Sequence, residues 1–219
     1  LSSSLFFTDL YSQYLDLRLF YYNVDGLYYL VYASGDQSSA YINNTKRIDL
    51  LTNVTSSSGA ISSVTYKPST LYNNGSTHLS PKLPQNYDTV EQIGVNDGMG
   101  HSATTTYSYE GGTYYYNGAY DRQPAGFHSI TKTSPDGTKT KTYYHQGNTS
   151  DTSLGEFSDD VSKIGKPFRV EVSDSTGAVY SKTINKWETQ ALSTGNNFVK
   201  LAQTTSMTYD GNADHRDKA

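Results

Sequence analysis

Three sets of residues in this chain have side chains that could do chemistry: five histidines, an acidic stretch and a run of tyrosines. His78, His101, His128, His145 and His215 are scattered, and no two have the i,i+2 or i,i+4 spacing that sets paired imidazoles on one metal ion. A metal would need them to converge from distant parts of the fold, so surface or hydrogen-bonded roles are expected and no metal site is assigned. His145 continues the strand face of Lys141 and Tyr143, and a cross-strand contact is its expected role. Glu156, Asp159 and Asp160 form an acidic loop near Glu171. Paired carboxylates can act as general acid and base, but acids on a polar loop are usually solvated, so no catalytic residue is expected here.

Other reactive patterns fall short in the same way. Asp25-Gly26, Asp97-Gly98, Asp136-Gly137 and Asp210-Gly211 invite a calcium reading, yet a calcium loop needs several closely spaced oxygen ligands. They read as turns. The serines lack a G-x-S-x-G elbow, and no dinucleotide fingerprint or P-loop is present, so no cofactor is expected. With no cysteine, thiol chemistry, disulfides and zinc–thiolate sites are excluded. The remaining candidate is Tyr114, Tyr115 and Tyr116, flanked by Tyr107, Tyr109 and Tyr120, which could stack on sugar rings. They would serve a carbohydrate-binding or adhesion β module, the alternative to the reading reached below.

Composition says what must hold these residues. Leu, Ile, Val and Phe make up under a fifth of the 219 residues, while 21 tyrosines supply much of the remaining apolar surface. Tyr suits a pleated sheet with a wet side, because its ring packs while its hydroxyl meets water. A net charge of −4 with only 17 Lys and Arg gives no footprint for nucleic acid. The longest apolar run, Leu27–Tyr32, is far too short to span a bilayer as a helix, and membrane insertion by this segment is not expected. The chain opens without an initiator Met or a signal-peptide pattern and reads as an internal piece of a longer protein.

The strand grammar is clearest over residues 126–147. Thr138, Thr140, Thr142 and Tyr144 alternate with Lys139, Lys141, Tyr143 and His145, and Ser134-Pro135-Asp136-Gly137 supplies the turn. Similar pairs are predicted for 15–21 with 27–32, 48–54 with 60–66, 90–95 with 102–109, and 167–173 with 178–187, with a last strand over 198–209. Residues 33–45 and 147–166 read as polar loops, and 1–14 fit neither pattern cleanly. The Pro-, Asn- and Gly-rich connection near 67–86 suggests a division into an N-terminal β segment, 1–88, and a hairpin segment, 89–219. The fold class is all-β, with successive antiparallel hairpins forming a large curved sheet.

A series of words then carries a family resemblance. They are Thr89-Val90-Glu91-Gln92-Ile93, Asn96-Asp97-Gly98-Met99-Gly100, Tyr107-Ser108-Tyr109-Glu110-Gly111-Gly112, the Pro-Asp-Gly hairpin running to Tyr143-Tyr144-His145-Gln146-Gly147, and Gly165-Lys166-Pro167-Phe168-Arg169-Val170-Glu171-Val172. With Ile48-Asp49-Leu50-Leu51 and Tyr66-Lys67-Pro68-Ser69, they resemble the middle region of the B component of bacterial insecticidal Tc toxin complexes, related to SpvB-like and YD-repeat (Rhs) proteins. The resemblance implies a non-enzymatic stretch of wall in a hollow YD-repeat-type β shell, secreted or at the bacterial surface. The implied partners are the remainder of the same shell-forming chain, a C-component-like chain and an enclosed effector polypeptide. Only Tyr209-Asp210-Gly211 hints at a YD repeat, and none of the family's self-cleavage motif is present, so no catalytic residue is carried over.

Overall fold

Turn chemistry sets this architecture, because each hairpin folds back where a short polar turn supplies the needed backbone conformations. A computed structural model of the chain describes residues 50–74, 83, 86–147, 151–192 and 197–209, and the backbone of 20–22, 29–34 and 37–42. The chain divides into two compact units, 1–50 and 51–219. In the first, strands β1 (Phe20–Tyr22), β2 (Tyr29–Ser34) and β3 (Gln37–Ile42) form an antiparallel sheet in the order β1-β2-β3. Phe20 pairs with Val31 and Ser34 with Gln37. The expected hairpin is present, but residues 37–42 form a strand where a loop was expected. Their serines have weak strand preference, and pairing along β2 overrides it. Residues 1–14 lie outside the described residues.

The second unit holds a nine-stranded antiparallel sheet. Its strands are β4 (Asn53–Thr55), β5 (Ile61–Pro68), β6 (Asp88–Asn96), β7 (Ser102–Glu110), β10 (Ser129–Thr133), β11 (Lys139–Tyr144), β12 (Pro167–Ser173), β13 (Val179–Ala191) and β14 (Asn197–Thr208). They lie in chain order except for one excursion, in which β8 (Thr113–Tyr116) and β9 (Arg122–Gly126) form a separate hairpin while β7 pairs directly with β10. No α-helix occurs among the described residues, only short 3-10 turns at Ser69–Leu71, Thr152–Leu154 and Val161–Lys163.

The hairpin read most firmly from sequence forms as expected, with Ser129 opposite Tyr143 and Thr133 opposite Lys139. Gly137 N–H donates to the Ser134 carbonyl, and Gly137 holds φ at 86°, a conformation costly for any side chain with a Cβ. The β12–β13 turn is tied by Asp174, whose Oδ1 accepts from the backbone N–H groups of Thr176, Gly177 and Ala178. The expected boundary at residue 88 falls inside the large sheet. The 67–86 connection returns to its own start, where Ser69 N–H donates to the Tyr87 carbonyl, and β5 pairs with β6.

The sheet buries little. Among the described residues the buried apolar side chains are Leu83, Tyr115, Ala125 and Phe168. On β7 the exposed positions alternate with half-buried Thr105, Tyr107 and Tyr109, the period of two of a sheet with one wetter face. Phe168 is completely buried, packed against the rings of His128, Tyr143 and His145. A second aromatic group joins Tyr72, Tyr109 and Phe127. Burial pushes the Tyr109 phenol up to about 12.

Candidate functional site

The polar segment after β11 carries the one arrangement with evident chemical potential among the described residues. β11 ends at Tyr144, where its ladder with β12 is irregular: Tyr143 pairs with Arg169 and Tyr144 with Pro167, so Phe168 is passed over. Past that point the chain turns inward. His145 N–H donates to the Lys166 carbonyl and Gly165 N–H to the His145 carbonyl, which closes the base of the 147–166 segment. Gly147 follows at φ 92°, and a Cβ there would stand 2.9 Å from Ile164 Cδ1 and 3.2 Å from Tyr115 Cδ2. The sharp turn and the close approach both require glycine.

The segment is strapped to the sheet. Arg169 Nη1 donates to the Leu154 carbonyl, and Thr189 Oγ1 donates to Asp160 Oδ2. Asp160 also caps the 3-10 turn at Val161–Lys163 by accepting from Ser162 N–H. The Lys163 ammonium is turned inward onto the Ser158 carbonyl and Asp160. Two acids of this segment, Glu156 and Asp159, are therefore not the solvated charges that its polar sequence suggests. The Glu156 side chain is only 2% exposed and that of Asp159 is fully buried, because the segment folds back over the end of β11 instead of running into water.

These two acids meet His145, which is itself fully buried. Its Nδ1 stands 2.7 Å from Glu156 Oε1 and 3.1 Å from Asp159 Oδ1. Potential ligand atoms of the three residues all lie within 4.8 Å of one another. The two carboxylate oxygens flank Nδ1 at ion-pairing distance, and neither is aligned as a well-formed hydrogen bond with a ring N–H. The other oxygen of each carboxylate is fixed by backbone: Asp159 Oδ2 accepts from the N–H groups of Gln146 and Gly147, and Glu156 Oε2 accepts from Asp151 N–H. Burial opposes charge on the His145 ring, but the neighbouring Asp159 and Glu156 outweigh it and raise its pKa above the ordinary value.

The other sequence candidates are placed elsewhere. The three tyrosines of β8 do not share a face: Tyr115 is buried with its hydroxyl on Asp121, whereas Tyr116 is exposed and Tyr114 half-buried. Strand alternation forces that split. His101 bonds Asp97, His128 packs on Tyr143 and Phe168, and His78 and His215 lie outside the described residues. Glu171 accepts from Arg169 and Tyr143, and Arg169 also donates to the Leu154 carbonyl of the acidic segment, so Glu171 is linked to that segment through Arg169 and is not a member of the buried cluster. Asp97 and Asp136 each accept backbone N–H groups of their own turns, whereas Asp25 and Asp210 are outside the described residues. The cross-strand role expected of His145 gives way to the buried cluster, because the irregularity after Tyr143 ends the alternation it relied on. A readable sign of the cluster was Glu156 and Asp159 in an i,i+3 pair inside a segment bounded by Gly147 and Gly165.

Comparison with known proteins gives two matches. A family model described as the insecticide toxin TcdB middle/N-terminal region matches residues 15–151. The fold is similar to a chain in the crystal structure of TcdB2-TccC3-Cdc42, with a TM-score of 0.65 and 16% sequence identity over 85% of this chain. The match spans only 12% of that much longer chain, and at this identity the likeness is one of fold. No curated protein matches the sequence. His145 lies inside the region matched by the family model, and Glu156 and Asp159 lie beyond its end.

Proposed function

The chain belongs to the family of insecticide toxin TcdB middle/N-terminal regions, and from that premise we propose that it is wall in a secreted, YD-repeat-type toxin shell enclosing an effector polypeptide. The role is structural and non-enzymatic, and the segment acts by enclosure.

The observation that carries this reading is the open nine-stranded sheet. Among the described residues β14 pairs only with β13, and β4 only with β5. β14 is 12 residues long, and it exposes Phe198 and Leu201. A long unpaired edge with apolar side chains invites pairing with further strands, and closing a sheet into a continuous wall satisfies such edges. The thin apolar core fits the same reading, since a wall gains stability from neighbouring strands that a free module would lack.

The partners that follow are the remainder of the same shell-forming chain, an enclosed effector segment, and a C-component-like chain by analogy with the TcdB2-TccC3 pairing. Among the described residues no helix is long and apolar enough to cross a membrane. A sugar-binding platform on Tyr114–Tyr116 is disfavoured by the burial of Tyr115.

Limited proteolysis of the assembled toxin tests enclosure. The effector segment is expected to resist cleavage for as long as the wall strands stay folded, and to become sensitive when they unfold. Cleavage of the effector while the wall remains intact would overturn the proposal.

A further inference from the structure

We propose that His145, Glu156 and Asp159 form a buried binding site for one divalent transition cation, with Zn²⁺ the best match to the donor set. The arrangement of the donors is the first argument. A proton shared between a ring nitrogen and a carboxylate draws them into line, whereas here two oxygens crowd Nδ1 at 2.7 and 3.1 Å and neither is aligned for a well-formed hydrogen bond. Ligands held about 2.0–2.2 Å from one cation stand side by side, roughly 3 Å from each other, with the metal between them. The observed separations and the off-axis placement are those of ligands converging on a common ion.

Charge is the second argument. Two ionised carboxylates and a neutral imidazole carry a formal charge of −2 in a place closed to water, and buried charge is costly unless it is paired. Among the described residues, the Lys163 ammonium is turned onto the Ser158 carbonyl and Asp160, and the Arg169 guanidinium onto Leu154 and Glu171. A divalent cation would offset the negative charge of both carboxylates, where a proton on His145 supplies a single positive charge.

The supporting shell is the third. Each carboxylate has one oxygen fixed by backbone N–H groups and presents the other to His145. Such outer contacts orient ligands and set a site's geometry before the ion arrives. One imidazole with two carboxylates and no thiolate suits Zn²⁺, with Mn²⁺ and Co²⁺ as near relatives, and it falls short of the six to eight oxygens that Ca²⁺ takes. The bound ion would staple the 151–166 segment to the end of β11, acting as a structural clamp.

The test uses the purified protein stripped with a chelator, then titrated with Zn²⁺ by calorimetry and with Co²⁺ by visible absorption. One ion per chain, a raised thermal midpoint with Zn²⁺, and a Co²⁺ spectrum typical of nitrogen and oxygen ligands are expected. Glu156→Gln keeps the shape of the side chain and should weaken binding by at least about tenfold, as should His145→Ala. If His145→Ala fails to fold, the Co²⁺ spectrum of the unaltered protein still decides the question. Absence of stoichiometric binding by the unaltered protein overturns the proposal, and so does binding left undiminished by Glu156→Gln.

Discussion

Glu110 on β7 and Ser129 on β10 are register partners, and Ser129 Oγ donates to Glu110 Oε2 at 3.1 Å, although the β8–β9 hairpin lies between them in sequence. Lys141 on β11 reaches the same carboxylate oxygen at 2.9 Å. One acidic side chain thus links three strands where the sheet closes over its excursion.

That link predicts a pH dependence. The hydrogen bond from Lys141 holds the Glu110 carboxyl below its ordinary 4.5. A depressed folded pKa stabilises in full above the unfolded value and loses that contribution as pH falls through the folded value. Urea midpoints should therefore decline as pH drops below about 4.5, and Glu110→Gln should flatten that part of the profile. Because Glu110 is 58% exposed and Lys141 33%, the substitution should cost about 0.2–1 kcal/mol near neutral pH, and less in high salt.

Among the described residues, Phe168 should be the most costly apolar side chain to truncate. It is fully buried amid His128, Tyr143 and His145, and Phe168→Ala should cost about 3–5 kcal/mol, with Phe168→Leu milder. The single tryptophan, Trp187, donates to the Pro167 carbonyl beside this residue, so its fluorescence during denaturant unfolding is a direct readout.

At the central hairpin, Gly137→Ala meets two penalties, the positive φ and a Cβ placed 3.1 Å from Ser175 Cβ. A loss of about 1–2 kcal/mol is expected, smaller for Gly137→Asn, whose side chain tolerates this backbone conformation. Equilibrium denaturation of the two variants checks the order.

The hairpins were legible in the sequence because Pro135-Asp136-Gly137, Asn96-Asp97-Gly98 and Asp174-Ser175-Thr176-Gly177 fix local conformations between alternating arms. β3 was not, because Gln37 to Ile42 is strand only by virtue of its pairing with β2. The site was hidden for a different reason. His145 and the Glu156–Asp159 pair come from separate segments, and only the inward turn after Tyr144 brings them together. A polar segment also reads as solvated unless something shows that it folds back, and the contact from Arg169 to Leu154 that does so here is invisible to pattern.

Among the described residues β14 pairs only with β13, and amide hydrogen exchange measures its other edge directly. The β14 amides facing away from β13 should exchange rapidly in the chain alone and be protected in the full-length toxin protein, where a further strand pairs with them. Equally rapid exchange of those amides in the full-length protein would contradict it.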